Sequence, residues 1–217
     1  MLNTAEQLDA LGRQTLQTRL MPDVLEQLAA KSHLMVFDIG FGVNETIAFF
    51  GNRKCRLHFS ALHESLRAPP VVKSKTPFGQ LANQSEQEAA LYQAWLERFQ
   101  SAMQFAPGTQ LDLCLFWDFL NYLDDQALKA FADALAPYTG PQTLAHAYIL
   151  LKPEADVLNR EYGVKAADLI TVKPAQYGSL AFYARPQARV TSMMKGFSVK
   201  HSVLRRDGLL EAALKSA

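Results

Sequence analysis

Cysteine is scarce in this chain: Cys55 and Cys114 are the two in 217 residues. They lie far apart, each inside an apolar run. A disulfide framework needs more cysteines and a zinc site needs ligands at short spacing, so neither is expected. Both thiols read as buried small hydrophobes, and reduced thiols fit a cytoplasmic protein. A surplus of charge of either sign is also lacking. Lys plus Arg number 22 against 21 Asp plus Glu, a net charge of +1. That balance gives no reason to expect nucleic acid or an anionic membrane as a partner. No uncharged apolar run approaches the roughly 20 residues of a membrane helix. Met1 to Asp9 carry acids and amides rather than a basic region followed by an apolar one, so no secretory signal is expected. The histidines, His33, His58, His63, His146 and His201, lack paired ligand spacing, and no metal site is expected. Neither a Gly-x-Ser-x-Gly elbow nor a phosphate loop ending in Gly-Lys-Ser/Thr occurs.

What is present is an ordinary globular composition, 49% hydrophobic and 20% charged, with ample length for one buried core. The expected domain is single, residues 1–217. Residues 1–32 read as a helical cap. Thr4 and Gln7 have capping-box spacing, Leu8, Leu11, Leu16 and Leu20 follow a rough helical stripe, and Pro22-Asp23 restarts a short helix. Leu34-Met35-Val36-Phe37 is a continuous apolar run ending in Asp38, as suits a strand buried on both faces. Asn44 to Phe50 returns to helical spacing, and Arg56 to Leu62 alternates as a strand.

Residues 64–107 form a helical insertion. Pro69-Pro70 and Thr76-Pro77 punctuate a loop, and then Ser85 and Glu88 read as a capping box. The helix they would open carries Tyr92, Trp95, Leu96, Phe99 and Met103 on one stripe, to be stopped by Pro107-Gly108. That aromatic stripe reads as core. Leu111 to Phe116 is a second buried strand, Asp124 or Asp125 caps a helix through Leu135, and Thr143 to Leu151 is a third buried strand. Val157 to Tyr162 and Ala166 to Val172 are ambiguous, and Leu180 to Tyr183 reads as a short strand. Alternating runs flank Asp207-Gly208, a strong hairpin signal.

The chemistry sits after the first buried strand. Gly40 and Gly42 permit a tight turn and close approach of the backbone to a ligand where the next helix starts. These glycines are expected at the C-terminal edge of a parallel sheet. Val36-Phe37-Asp38-Ile39-Gly40-Phe41-Gly42 resembles the first motif of the Rossmann-like S-adenosylmethionine-dependent methyltransferases. Leu111 to Leu123 resembles that family's fourth strand and the loop after it, and Phe197 to Leu214 its antiparallel last strands. The resemblance implies a three-layer α/β sandwich with a mostly parallel sheet and an antiparallel C-terminal hairpin.

The same resemblance implies S-adenosylmethionine as cofactor and a small molecule as methyl acceptor, with a homodimer left open. It assigns Asp38, Gly40, Phe41, Gly42 and Trp117 to the cofactor, and Asp118 and Tyr122 to the acceptor. The chain departs from the family in three places. Asn44 stands where a third glycine is usual. Phe59-Ser60-Ala61 stands where an acid usually bonds the ribose, leaving Glu64 as the nearest carboxylate. No acid lies near Val72-Lys73-Ser74, where one often meets the adenine. Two alternatives remain at this level: the same fold with catalysis lost, serving as a binding or regulatory module, and a nicotinamide-dependent oxidoreductase.

Overall fold

A computed structural model describes residues 13–60, 62–72, 83–153, 159–175 and 178–217. Four strands make its centre: the largely buried β2 (Leu34–Asp38), β4 (Leu113–Trp117) and β5 (Leu144–Leu150), and the half-buried edge strand β3 (Cys55–Phe59). They pair in parallel, with β2 between β3 and β4 and β5 beyond β4. The last two strands, β8 (Phe197–Leu204) and β9 (Leu209–Ser216), form the expected hairpin. It turns at Asp207-Gly208, where Gly208 takes the left-handed φ of 84° that a side chain would resist. β9 inserts antiparallel beside β5, so the sheet order among the described residues is β3-β2-β4-β5-β9-β8.

Alternation along the strands assigns the two faces. Phe37, Cys114 and Phe116 point to one face, where they meet α4 (Gln84–Met103) and α5 (Asp125–Leu135) through Phe99 and Phe131. Val36, Leu113, Leu115 and Trp117 point to the other. That face is covered by α1 (Met21–Gln27), by α2 (Asn44–Gly51) through Phe50, and by a second, three-stranded antiparallel sheet. Its strands are β1 (Gln14–Gln17), β6 (Arg160–Ala166) and β7 (Leu169–Pro174), in the order β1-β7-β6. α3 (Leu62–Arg67) and α6 (Gln187–Met193) complete the α-helices among the described residues, and Phe119–Tyr122 and Ala136–Tyr138 form short 3-10 turns. No helix among them is long and apolar enough to cross a membrane.

The small sheet corrects the N-terminal reading. Thr4 and Gln7 lie outside the described residues. Gln14 to Gln17, however, is a strand and not part of a helical cap. Leu16 packs in the same core from an extended backbone, because its partner Ile170 is supplied by a distant part of the chain and pairing overrides local helical spacing. The ambiguous stretches around Tyr162 and Ala166 to Val172 supply the other two strands. Leu180 to Tyr183 has no regular structure. In the insertion, Leu62 opens α3 instead of ending β3, and the capping box of α4 is Asn83 with Glu86, not Ser85 with Glu88. Asn83 Oδ1 accepts from Glu86 N and Glu86 Oε2 from Asn83 N, both at 2.9 Å. Thr76-Pro77 lies outside the described residues.

One buried polar knot ties the N-terminal segment to the sheet. Glu211 on β9 is fully buried and accepts from His146 Nε2 at 2.9 Å, from the Thr18 hydroxyl, and from the Arg19 and Leu20 amides. Burial opposes its ionisation, but the His146 hydrogen bond and these donors outweigh it and hold the carboxyl down at about 2. A depressed carboxyl stabilises the fold fully above its ordinary value and loses that contribution as pH falls through the folded one. We expect Glu211→Gln to lower stability at neutral pH by about 3 kcal/mol and to flatten the acid limb of a urea-unfolding series below about pH 4.5. An unchanged midpoint at neutral pH would rule the knot out as a major support.

Candidate functional site

The sheet order reverses direction between β2 and β4, which places a crevice at the C-terminal ends of these strands, where open α/β sheets take ligands. Gly40 and Gly42 lie there, as their sequence context implied. Asp38 ends β2 fully buried, and its Oδ1 accepts from Gly40 N and from Trp117 Nε1, each at 2.7 Å. A Cβ on Gly40 would stand 2.9 Å from that oxygen and 3.3 Å from the indole nitrogen, so only glycine lets the turn close on this pair. Gly42 takes φ 64° and faces the Phe59 ring.

Trp117 reaches Asp38 because β4 breaks its register with β5 between Leu115 and Trp117. Such a bulge re-aims the side chain that follows it. Trp117 itself sits at φ 49°, a costly conformation for a bulky residue. Its indole is held by the bond to Asp38 and by a stack on Tyr162 of β6, with centroids 5.4 Å apart and planes at 6°. Tyr162 stacks in turn on Tyr148 at 5.5 Å. β6 crosses the start of α2 closely enough that a Cβ on Gly163 would meet Val43 at 2.6 Å.

The next residue, Asp118, is buried and accepts from Tyr122 Oη at 2.7 Å and, more weakly, from Tyr162 Oη at 3.4 Å. Tyr122 Oη also accepts from Asn159 N. Asn121 fixes the loop to β5 by donating to Tyr148 O at 2.9 Å and accepting from Leu150 N at 2.8 Å. Burial pushes Asp38 up to about 6 against the bonds from Trp117 and Gly40. It pushes Asp118 up to about 7 against the Tyr122 and Tyr162 hydroxyls and the charge of Arg160. His63 on α3 closes the group, its ring 5.1 Å from Phe41 and 5.0 Å from Phe119, and burial lowers it to about 4. Sequence reading weighed His63 only as a metal ligand. Its place beside the turn follows from the short α3, which carried no periodic signal.

Asp38, Gly40, Trp117, Asp118 and Tyr122 thus come together, with Phe41 and Gly42 on their flank. Glu64 does not join them. It lines a cavity of about 720 Å³ at the end of β3, with His58, Phe59, Ser60, Arg98 and Met103 among its neighbours. Asp38, Gly40, Trp117, Asp118 and Tyr122 are absent from that lining. The Phe59 ring is the wall between the cavity and Gly42. Ser60 Oγ is buried without a hydrogen-bond partner among the described residues. No cluster of three or more His, Cys, Asp or Glu among the described residues has metal-binding geometry.

The parallel centre, the glycine turn at the switch point and the antiparallel β8–β9 pair decide the architecture. The fold is a Rossmann-like α/β fold of the methyltransferase type. No family model matches the chain, and no curated protein matches it. Among solved structures it is similar to the Burkholderia thailandensis 1,6-didemethyltoxoflavin-N1-methyltransferase, at 14% identity over 90% of this chain and 77% of that one, with a TM-score of 0.44. It is also similar to a TehB-like SAM-dependent methyltransferase from Corynebacterium glutamicum, at 8% identity over 91% and 87% of the two chains, TM-score 0.46. A third is LepI in complex with SAM, at 13% identity over 89% of this chain and 46% of that one, TM-score 0.47. The fold assignment rests on strand order and register.

The raised carboxyls set a pH dependence. An acid whose folded pKa is raised penalises the native state once it ionises, so stability falls as pH climbs from the ordinary carboxyl value through the folded one. For Asp38 and Asp118 that window runs from about 4 to about 7. The protein is expected to unfold at a higher urea concentration at about pH 5 than at about pH 8. Asp118→Asn should remove part of that difference, and an equal difference in the variant would show that Asp118 is not the group responsible.

Proposed function

We propose that this chain is an S-adenosylmethionine-dependent methyltransferase-type protein acting on a small molecule. The observation that carries the reading is the meeting, at one sheet edge, of the Asp38–Gly40–Gly42 turn and the Trp117–Tyr122 loop. Asp38, Gly40, Phe41 and Gly42 would hold the cofactor's near end. Glu64 and the unpartnered Ser60 hydroxyl fit the ribose end, because they border a cavity within the 300–1,000 Å³ range usual for small-molecule sites. When bound, S-adenosylmethionine supplies a methyl group already activated for transfer. The protein then has chiefly to align the acceptor. Asp118, poised near neutrality beside Tyr122, would orient an acceptor or take its proton.

A second reading, a binding or regulatory module that has lost catalysis, is favoured by one observation. Trp117 spans the turn and bonds Asp38, so the chain's own indole lies against Gly40, where a ligand would have to sit. Binding would need Trp117 and its Tyr162 stack to give way, and affinity should be weak. Calorimetric titration of S-adenosylmethionine and S-adenosylhomocysteine into wild type, Trp117→Ala, Trp117→Phe and Glu64→Gln separates the readings. Circular dichroism would check that each variant folds. We expect weak wild-type binding, at least tenfold tighter binding to Trp117→Ala, and a loss of roughly 10- to 100-fold in Glu64→Gln, since a charge-assisted hydrogen bond contributes about 1.5–3 kcal/mol. Silence in every folded variant would favour the module. Tight binding indifferent to Glu64 would remove that residue from the ribose position.

A further inference from the structure

The hairpin turn brings a second set of charged groups to the same sheet edge. Leu209 pairs with Leu150, so Asp207-Gly208 lies at the C-terminal end of β5. There the hairpin, β1 and the start of β6 enclose a cavity of about 320 Å³ whose lining includes Arg19, Arg160, Arg205, Arg206, Asp207 and Glu211. None of these residues belongs to the glycine turn or to the Glu64 cavity.

The two carboxylates on this lining are already engaged. Glu211 is fully buried and gives its oxygens to His146, Thr18 and the amides of Arg19 and Leu20. Asp207 pairs with Arg205 at 3.2 Å. Arg205 is fixed further by donating to Gln17 O at 3.1 Å and by lying over the Tyr148 ring at 5.1 Å. The guanidinium groups of Arg19 and Arg206 make no hydrogen bond or ion pair among the described residues. Both side chains therefore keep all their donors for something else, in a cavity where Glu211 and Arg205 are held by their own partners.

We infer that this cavity binds the phosphate group of a small phosphorylated molecule. Guanidinium is planar, always charged and weakly hydrated, and its donor fork matches a phosphate's oxygens two at a time. Two such forks on one hollow, those of Arg19 and Arg206, answer a compact dianion better than a single carboxylate. The volume is at the low end for small-molecule sites, enough for a phosphate with a few attached carbons. This assignment is independent of the methyltransferase reading, since it uses neither the turn nor the cofactor.

The test is calorimetry on the full chain with inorganic phosphate, methyl phosphate and succinate, each against sodium chloride at matched ionic strength, because exposed charges are screened by salt. Phosphate and methyl phosphate should bind saturably, and succinate more weakly. The Arg19→Gln/Arg206→Gln double variant should lose about 10- to 100-fold in affinity for phosphate, with Arg19→Lys/Arg206→Lys between the two. Both positions are exposed, so the variants should fold, and circular dichroism would show it. Succinate binding as tightly as phosphate, heats reproduced by chloride, or unchanged affinity in the Gln variant would each overturn the assignment. Titration of S-adenosylhomocysteine in the same samples keeps this result separate from the fate of the cofactor site.

Discussion

The hydrogen bond from Trp117 Nε1 to Asp38 Oδ1 is the contact on which the switch-point edge of the sheet depends. It joins the ends of β2 and β4 across the switch point. It also compels the residue between them to be glycine, and it holds a tryptophan in a left-handed conformation that it would otherwise avoid. The stack on Tyr162 extends the constraint to β6, and so to the whole small sheet. A carboxylate buried with one oxygen lacking a partner is costly. The protein meets that cost by keeping Asp38 protonated more readily than an ordinary aspartate.

Seen this way, the small sheet is more than a covering. In β6, Gly163 allows the backbone to lie against Val43, and Val164 N donates to the Thr46 hydroxyl at 3.1 Å, so the strand is clamped to the start of α2. Tyr162, one residue earlier in the same strand, is thereby delivered to Trp117. The crevice that the fold offers at this edge is consequently shaped by residues far from the glycine turn in sequence. Two hollows flank it: one beside Glu64 at the end of β3, the other among the arginines at the end of β5.

The sequence determined the buried strands, the glycine turn, the helix through Leu135 and the C-terminal hairpin. Each of these is written in contiguous residues: an apolar run, a Gly-x-Gly, a capping aspartate with a helical stripe, an Asp-Gly between alternating stretches. Asp38, Gly40, Trp117, Asp118 and Tyr122 were singled out by the resemblance of two strand-and-loop motifs to those of one family, and their contacts with one another are seen in the tertiary structure. Tertiary structure alone decided the rest. β1 is a strand because residues over 150 positions away pair with it, and Glu211 is a structural anchor because His146 and the Thr18–Leu20 segment converge on it. Glu64 faces a cavity apart from the turn, and Arg19 and Arg206 come to line one hollow. Pairing partners, burial and the meeting of charges are properties of distance in space, and a linear pattern records only distance along the chain.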